Sequence, residues 1–191
     1  MNINDLSTII RERKTYYAFD YMEEDIPDEL INTIITNAIW APTHKLTQPW
    51  RFIVLAGKHK EKIGEYMADY YRGMYSEEEF SAERYSETKN YALNATLIAI
   101  VFTPSKKLPE WEEIAAISCA VQNTWLSCTA LNIGGYWDTG SATIEYVSNT
   151  IALATDEKCL GIFYMGFLKK NLPERNRRRK PLAKKLSKHI L

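Results

Sequence analysis

The chain has little of what usually betrays a function. Its 191 residues include only three cysteines and three histidines. Cys119, Cys128 and Cys159 form no CxxC pair and sit among apolar neighbours. That argues against a disulfide framework or a zinc cage, and fits reduced thiols packed as small buried hydrophobes in a cytoplasmic protein. His44, His59 and His189 are too dispersed for a cluster, so no metal site is expected. Phosphate cradles are missing: no GxGxxG follows a strand and no GxxxxGK[ST] occurs, which removes the support for a Rossmann dinucleotide site or a P-loop. Without a GxSxG elbow, acyl transfer has no evident nucleophile. Long apolar runs are lacking too. Ala92 to Phe102 is interrupted by Asn94 and Thr96 and is far shorter than the roughly 20 residues that cross a bilayer. The N-terminus has neither the basic flank nor the apolar stretch of a signal peptide, so no membrane contact is expected.

Net charge is absent only in total. Lysine plus arginine and aspartate plus glutamate both number 24, which disfavours wholesale nucleic-acid binding. Residues 169–188 nevertheless hold ten basic residues against one acid, Glu174. An acidic body therefore carries a basic C-terminal segment, 169–191. Taken alone, that segment suits phosphate binding and a solvated charged helix about equally.

The content that is present, 46% hydrophobic and 25% charged, suits one compact domain over residues 1–191. Asn4 is positioned to cap a first helix with Leu6, Ile9 and Ile10 on one face, ending in Arg11, Arg13 and Lys14. A second helix starts at Ile26-Pro27-Asp28 and stops before Pro42. Trp50–Ala56, Leu97–Thr103, a short run from Tyr136 and Cys159–Gly166 read as strands. Two charged amphipathic segments at about 58–72 and 77–91 suggest an exposed helical excursion over the core, such as a lid. The helix from Trp111 to Leu131 is apolar nearly all round, which fits a dimer interface as well as a core. Further helices are expected at 143–154 and at Pro181–His189. Helices first and then strands separated by long helices make the class α+β or α/β with a central sheet.

Three polar segments lie at element boundaries, where binding groups concentrate. They are Arg13-Lys14-Thr15-Tyr16-Tyr17-Ala18-Phe19-Asp20, Ala41 to Trp50 with His44 and Gln48, and Tyr136-Trp137-Asp138-Thr139-Gly140. The tail adds Arg177 to Leu182. Their cations, hydroxyls, amides and aromatic faces suit a phosphorylated, planar, partly polar ligand.

In this order the motifs resemble those of the FMN-dependent nitroreductase family, over essentially the whole chain: an Arg-x-Thr segment ending in Phe-Asp, Trp40-Ala41-Pro42, Gln48-Pro49-Trp50-Arg51-Phe52, a glycine turn with Trp137-x-Thr139-Gly140, and Arg177-x-Arg179-x-Pro181-Leu182. The Ala-Pro-Thr-His-Lys wording resembles the small, compact branch. The resemblance implies an α+β nitroreductase-like fold with a mixed four- or five-stranded central sheet flanked by helices, in an intertwined homodimer with FMN at the interface. Carried over by position, Arg13 and Thr15 would hold the phosphate and ribityl side with Lys14 nearby, and Arg177 and Arg179 would add phosphate contacts. His44 and Gln48 would approach the cofactor, as would Trp137, Asp138 and Thr139. Tyr17 stands where many relatives carry a cation near the flavin N1 and O2, and Leu46 where many carry asparagine.

The implied activity is two-step: NADH or NADPH delivers hydride to FMN and leaves, and an electron-poor small molecule such as a nitroaromatic or quinone is then reduced. The cofactor carries the chemistry, so no catalytic side chain is required. Two other readings stand beside it: a flavoenzyme of the same fold acting as a dehydrogenase or oxidase on a dedicated metabolite, and a non-catalytic flavin-binding dimer.

Overall fold

The structure is a computed structural model that describes residues 2–175 and 177–189. Helix α1, Ile3–Glu12, starts from Asn2: its side chain accepts from the Asn4 and Asp5 amides, and Asp5 accepts from the Asn2 amide. The cap is thus two residues earlier than Asn4. Asn2 has an acid three positions on to complete a reciprocal pair, whereas Asn4 has Ser7. Helix α2 spans Asp28–Ala38 and strand β1 Trp50–Leu55. Helices α3, His59–Arg72, and α4, Ala82–Asn90, come next, then strand β2, Thr96–Phe102. The long helix α5, Glu110–Ala130, leads to strand β3, Ile133–Asp138. Helix α6, Ser141–Thr150, precedes strand β4, Lys158–Phe167.

The strands form one sheet in the order β1-β2-β4-β3. Every adjacent pair is antiparallel, so within the chain the sheet is not mixed. The reason lies in the connections. A single long helix joins β2 to β3, so these two run the same way, but β4 inserts between them and opposes both. Between β1 and β2, the paired helices α3 and α4 return the chain to the end it left.

β2 is buried at all seven positions, as its apolar run Leu97–Phe102 requires, and its side chains alternate between two cores. Ile98, Ile100 and Phe102 meet Ile31 and Ile34 of α2 and Ile117 and Val121 of α5. Leu97 and Ala99 meet Ile63 and Met67 of α3 and Val147 of α6. Each fully buried isoleucine or leucine contributes about 1.5–3 kcal/mol before chain entropy is counted. In β4, Ala99 pairs with Ile162 but Val101 with Cys159, one extra residue on β4. This bulge is possible because Gly161 has φ +115° and packs so tightly that a Cβ there would fall 2.1 Å from the Asp138 carbonyl oxygen.

Three expectations change. The excursion at 58–91 is not wholly exposed, because α3 buries Ile63, Gly64, Met67 and Ala68; only α4 buries nothing. Over Pro181–His189 there is a single 3-10 turn at Leu182–Lys184 instead of a helix. Leu182 and Leu186 are exposed, and a segment this short lacks the buried stripe that would hold it helical. Cys119 is exposed on α5, while Cys128 and Cys159 are buried.

Candidate functional site

The segment after α1 runs along the outer side of β3. The Tyr16 amide donates to the Gly135 carbonyl at 3.3 Å, and the Tyr17 ring meets the Tyr136 ring edge-on at 5.2 Å. From α5, the Trp125 indole N–H donates to the Lys14 carbonyl at 3.1 Å, and the Arg13 guanidinium lies 4.4 Å over the Trp125 ring. The stretch is thereby positioned: β3 holds the Tyr16 amide and α5 holds the Lys14 carbonyl and the Arg13 side chain.

The basic tail closes over this segment. Arg177 donates to the Arg13 carbonyl at 2.6 Å and Arg175 to the Thr15 carbonyl at 2.8 Å. Arg13, Lys14, Thr15, Tyr17, Arg175, Arg177 and Arg179 line one cleft of about 280 Å³. Among the described residues, Arg13, Arg177 and Arg179 have no carboxylate within salt-bridge distance. Partial burial pushes the Arg13 pKa down, and repulsion from Arg179 and Arg177 pushes it further the same way. Positive charge therefore accumulates unneutralised, which is the electrostatic condition for taking up an anion.

Scanned against family models, the chain matches the nitroreductase family over residues 10–167. The chain belongs to the nitroreductase family. It is an oxidoreductase by that membership. A curated relative from Escherichia coli (strain K12), YdjA, which carries the provisional name NAD(P)H nitroreductase, is 26% identical over 142 residues, covering 72% of this chain and 75% of its own. The iodotyrosine deiodinase of Hydra vulgaris is 28% identical, with 94% and 71% covered. Among solved structures, a nitroreductase-like family protein from Bacillus cereus superposes with TM-score 0.78 at 21% identity, covering 98% of this chain and 97% of that one. The FMN-dependent nitroreductase NfnB from Mycobacterium smegmatis, solved with NADPH, gives 0.76 at 14%, covering 98% and 99%. At these identities the superpositions establish the nitroreductase-like fold.

Within this nitroreductase fold the expected site residues fall into two groups. Arg13, Lys14, Thr15, Tyr17, Arg177 and Arg179 come together in the cleft. Trp137, Asp138 and Thr139, at the end of β3, do not line that cleft. Asp138 accepts from the Gly140 amide at 2.8 Å and from the Thr143 hydroxyl at 2.7 Å, anchoring the start of α6, and Thr139 is exposed next to it. Trp137 packs on the opposite face of β3 from Tyr136, and its indole N–H is buried without a partner among the described residues.

His44 and Gln48 do not join them. His44 Nδ1 lies 2.5 Å from Glu112 Oε1, in the first turn of α5, and the Gln48 amide donates to the Thr43 hydroxyl. Glu112 and Trp125 are thirteen residues apart on one helix, about 20 Å at 1.5 Å per residue. The loop carrying His44 is therefore remote from the cleft in its own chain.

Two contributors lie outside the expected set. Arg175 also lines the cleft, and Asp20 holds Arg175 while accepting from the Tyr17 amide at 2.9 Å. A signal for Arg175 was present: Arg175-x-Arg177 repeats the Arg-x-Arg pattern two residues ahead of Arg177-x-Arg179.

Proposed function

We propose that this nitroreductase is an FMN-dependent oxidoreductase that draws hydride from NADH or NADPH and reduces an electron-poor small molecule such as a nitroaromatic or quinone. The observation that carries the reading is the cleft, in which four arginines, a lysine and a threonine from two distant stretches of chain converge, with, among the described residues, no carboxylate within salt-bridge distance of these cations except Asp20 at Arg175. That donor set fits a phosphate monoester, because guanidinium forks match phosphate oxygens and the lysine adds a point charge. Arg13, Lys14, Thr15, Arg177 and Arg179 would hold the phosphate and ribityl end. Tyr17, Asp138, Thr139 and the β3 end around Trp137 would flank the ring. When bound, FMN supplies the hydride chemistry; the residues bind, orient and exclude water. NfnB, solved with NADPH, supports the choice of donor by analogy.

The working form in this proposal is a homodimer. The remoteness of His44 and Gln48 supports it, since the partner subunit's His44 and the partner subunit's Gln48 would then be the ones that complete each site. So does α1, which is amphipathic yet buries no residue and leaves Ile3, Leu6 and Ile10 exposed. A cytoplasmic location accords with this chemistry, and among the described residues no helix is long and apolar enough to cross a membrane.

The test is an absorbance spectrum of the purified chain before and after adding NADH or NADPH. Flavin bands that bleach with either nicotinamide and return with a nitroaromatic are expected. A colourless protein that takes up no FMN on reconstitution would overturn the proposal. A bound flavin that neither nicotinamide reduces would favour the dedicated-metabolite reading, to which the likeness to a deiodinase and the uncharged Tyr17 lend support.

A further inference from the structure

A second cavity, of about 240 Å³, lies between α3 and α4. Its wall is aromatic: Tyr71 and Tyr75 from α3 and the turn after it, Phe80 from the connection, and Tyr85 from α4. Tyr71, Tyr75 and Phe80 are among the chain's exposed large apolar side chains. They gather in one concave place, not scattered over the surface, which is the arrangement that marks a ligand site.

Two arginines, Arg72 and Arg84, share the lining. Neither has a carboxylate within salt-bridge distance among the described residues, although the chain is rich in acids. Arg72 lies 5.1 Å over the Phe80 ring. An acid, Glu79, also lines the cavity; its carboxylate accepts from the Ser76 amide at 3.2 Å and the Ser76 hydroxyl at 2.9 Å and leaves the charge excess with the two arginines, while Asp69 accepts from the Tyr85 hydroxyl at 2.7 Å. The two helices are also fixed to each other, by Lys89 to Glu65 at 3.0 Å and by a contact so close that a Cβ on Gly64 would fall 1.9 Å from the Lys89 carbonyl oxygen. The cavity thus has a held frame. Size narrows the occupant: about 150 Å³ suffices for benzene, and drug-sized ligands need roughly 300 Å³ or more. One substituted ring fits between those limits.

We infer that this cavity is a binding site for a single-ring aromatic carboxylate, its ring against Tyr71, Tyr75, Phe80 and Tyr85 and its carboxylate on Arg72 and Arg84. Guanidinium groups pair with carboxylates in fork geometry, and an aromatic wall supplies the apolar contact that acetate lacks. The Tyr71 hydroxyl stands 3.8 Å from where a Cβ on Gly140 would lie, so the cavity adjoins the end of β3 and a ligand there would sit beside the Asp138–Gly140 turn. The inference is independent of the flavin reading, because none of its residues lines the cationic cleft.

Benzoate, benzamide, acetate and benzylamine, titrated into the full chain with and without saturating FMN and followed by calorimetry, test it. Benzoate should bind at least about tenfold more tightly than each of the other three, in both preparations. Arg72→Gln and Arg84→Gln should each weaken benzoate about tenfold, whereas Arg177→Gln with Arg179→Gln should change it less than about twofold. Phe80→Leu keeps both charges and should weaken benzoate without affecting acetate, which separates loss of the ring contact from loss of fold. Unchanged affinity in the Arg72→Gln, Arg84→Gln double variant, tighter binding of benzylamine, or no saturable binding would overturn the assignment. Loss only in the Arg177→Gln, Arg179→Gln variant would place the benzoate in the cationic cleft and also overturn it. A chain that binds benzoate but no FMN would leave this site standing and remove the flavin reading.

Discussion

Arg175 is bonded through one guanidinium nitrogen to both oxygens of Asp20, at 2.9 and 2.7 Å, while its other terminal nitrogen donates to the Thr15 carbonyl at 2.8 Å. It also stands 5.5 Å over the Tyr16 ring and 5.6 Å over the Tyr17 ring. Asp20 keeps only 4% of its side chain exposed and also accepts from the Tyr17 amide. One residue of the tail therefore ties together the whole loop from Thr15 to Asp20.

Removing Arg175 should do more than delete a surface charge. Arg175→Met leaves Asp20 buried without its partner and should cost about 2–3 kcal/mol, below the usual range for a fully buried pair because Arg175 is partly exposed. Urea unfolding measures this. A loss under about 0.5 kcal/mol would show that the pair is not coupled to folding.

Arg179→Gln should act in the opposite direction on stability. Arg13 is repelled by Arg179 and Arg177, so relieving one repulsion should leave the chain without ligand as stable or slightly more so. On the proposed function, FMN affinity should fall about tenfold. Parallel denaturation and fluorescence titration of FMN read the two effects, and a variant that is both less stable and undiminished in FMN affinity would contradict the assignment of the cleft.

Acid stability should depend on Glu157. The Arg51 guanidinium, assisted by the Ala154 amide and the Thr103 hydroxyl, holds this carboxylate's pKa down at about 2 from an ordinary value of 4.5. Because the folded pKa is depressed, the stabilisation is complete above the unfolded value and disappears as pH falls from about 4.5 through about 2. Arg51→Gln should therefore be less stable than the parent at pH 7, and the gap should narrow over that window. Denaturant midpoints at pH 7, 4 and 2 check it; a gap that does not change with pH would sink the idea.

The exposed stripe of α1 makes a third class of prediction. Leu6→Glu with Ile10→Glu places two charges on a face that buries nothing in its own chain. If that face meets a second copy, sedimentation should shift from dimer to monomer, and FMN retention should fall with it. An unchanged mass would exclude α1 from the interface.

Much of the architecture was legible because it rests on local pattern. The unbroken apolar run in β2 specifies burial on both faces whatever lies around it, and the 3.6-residue spacing of Ile31, Ile34 and Ala38 specifies the inner face of α2. Over Pro181–His189 local pattern misled, since helical spacing without a surface to cover does not stabilise a helix. The antiparallel pairing was not legible. It follows from β4 entering between β2 and β3, a choice made by long-range packing.

The candidate site divides in the same way. Residue order along the chain was enough to identify the family, and it singled out Arg13, Lys14, Thr15, Arg177 and Arg179, which the structure gathers around one cleft. Which of the cations remain free depends on three-dimensional proximity: Arg175 is consumed by Asp20, 155 residues away in the chain, whereas Arg13, Arg177 and Arg179 find no acid among the described residues. Likewise, nothing in the order of motifs separates His44 and Gln48 from the rest. Only the length of α5 does, by holding their loop about 20 Å from the cleft. Composition and spacing determined the kinds of groups available. The tertiary structure decided which of them share a space, because charge and contact act over a few ångströms regardless of distance along the chain.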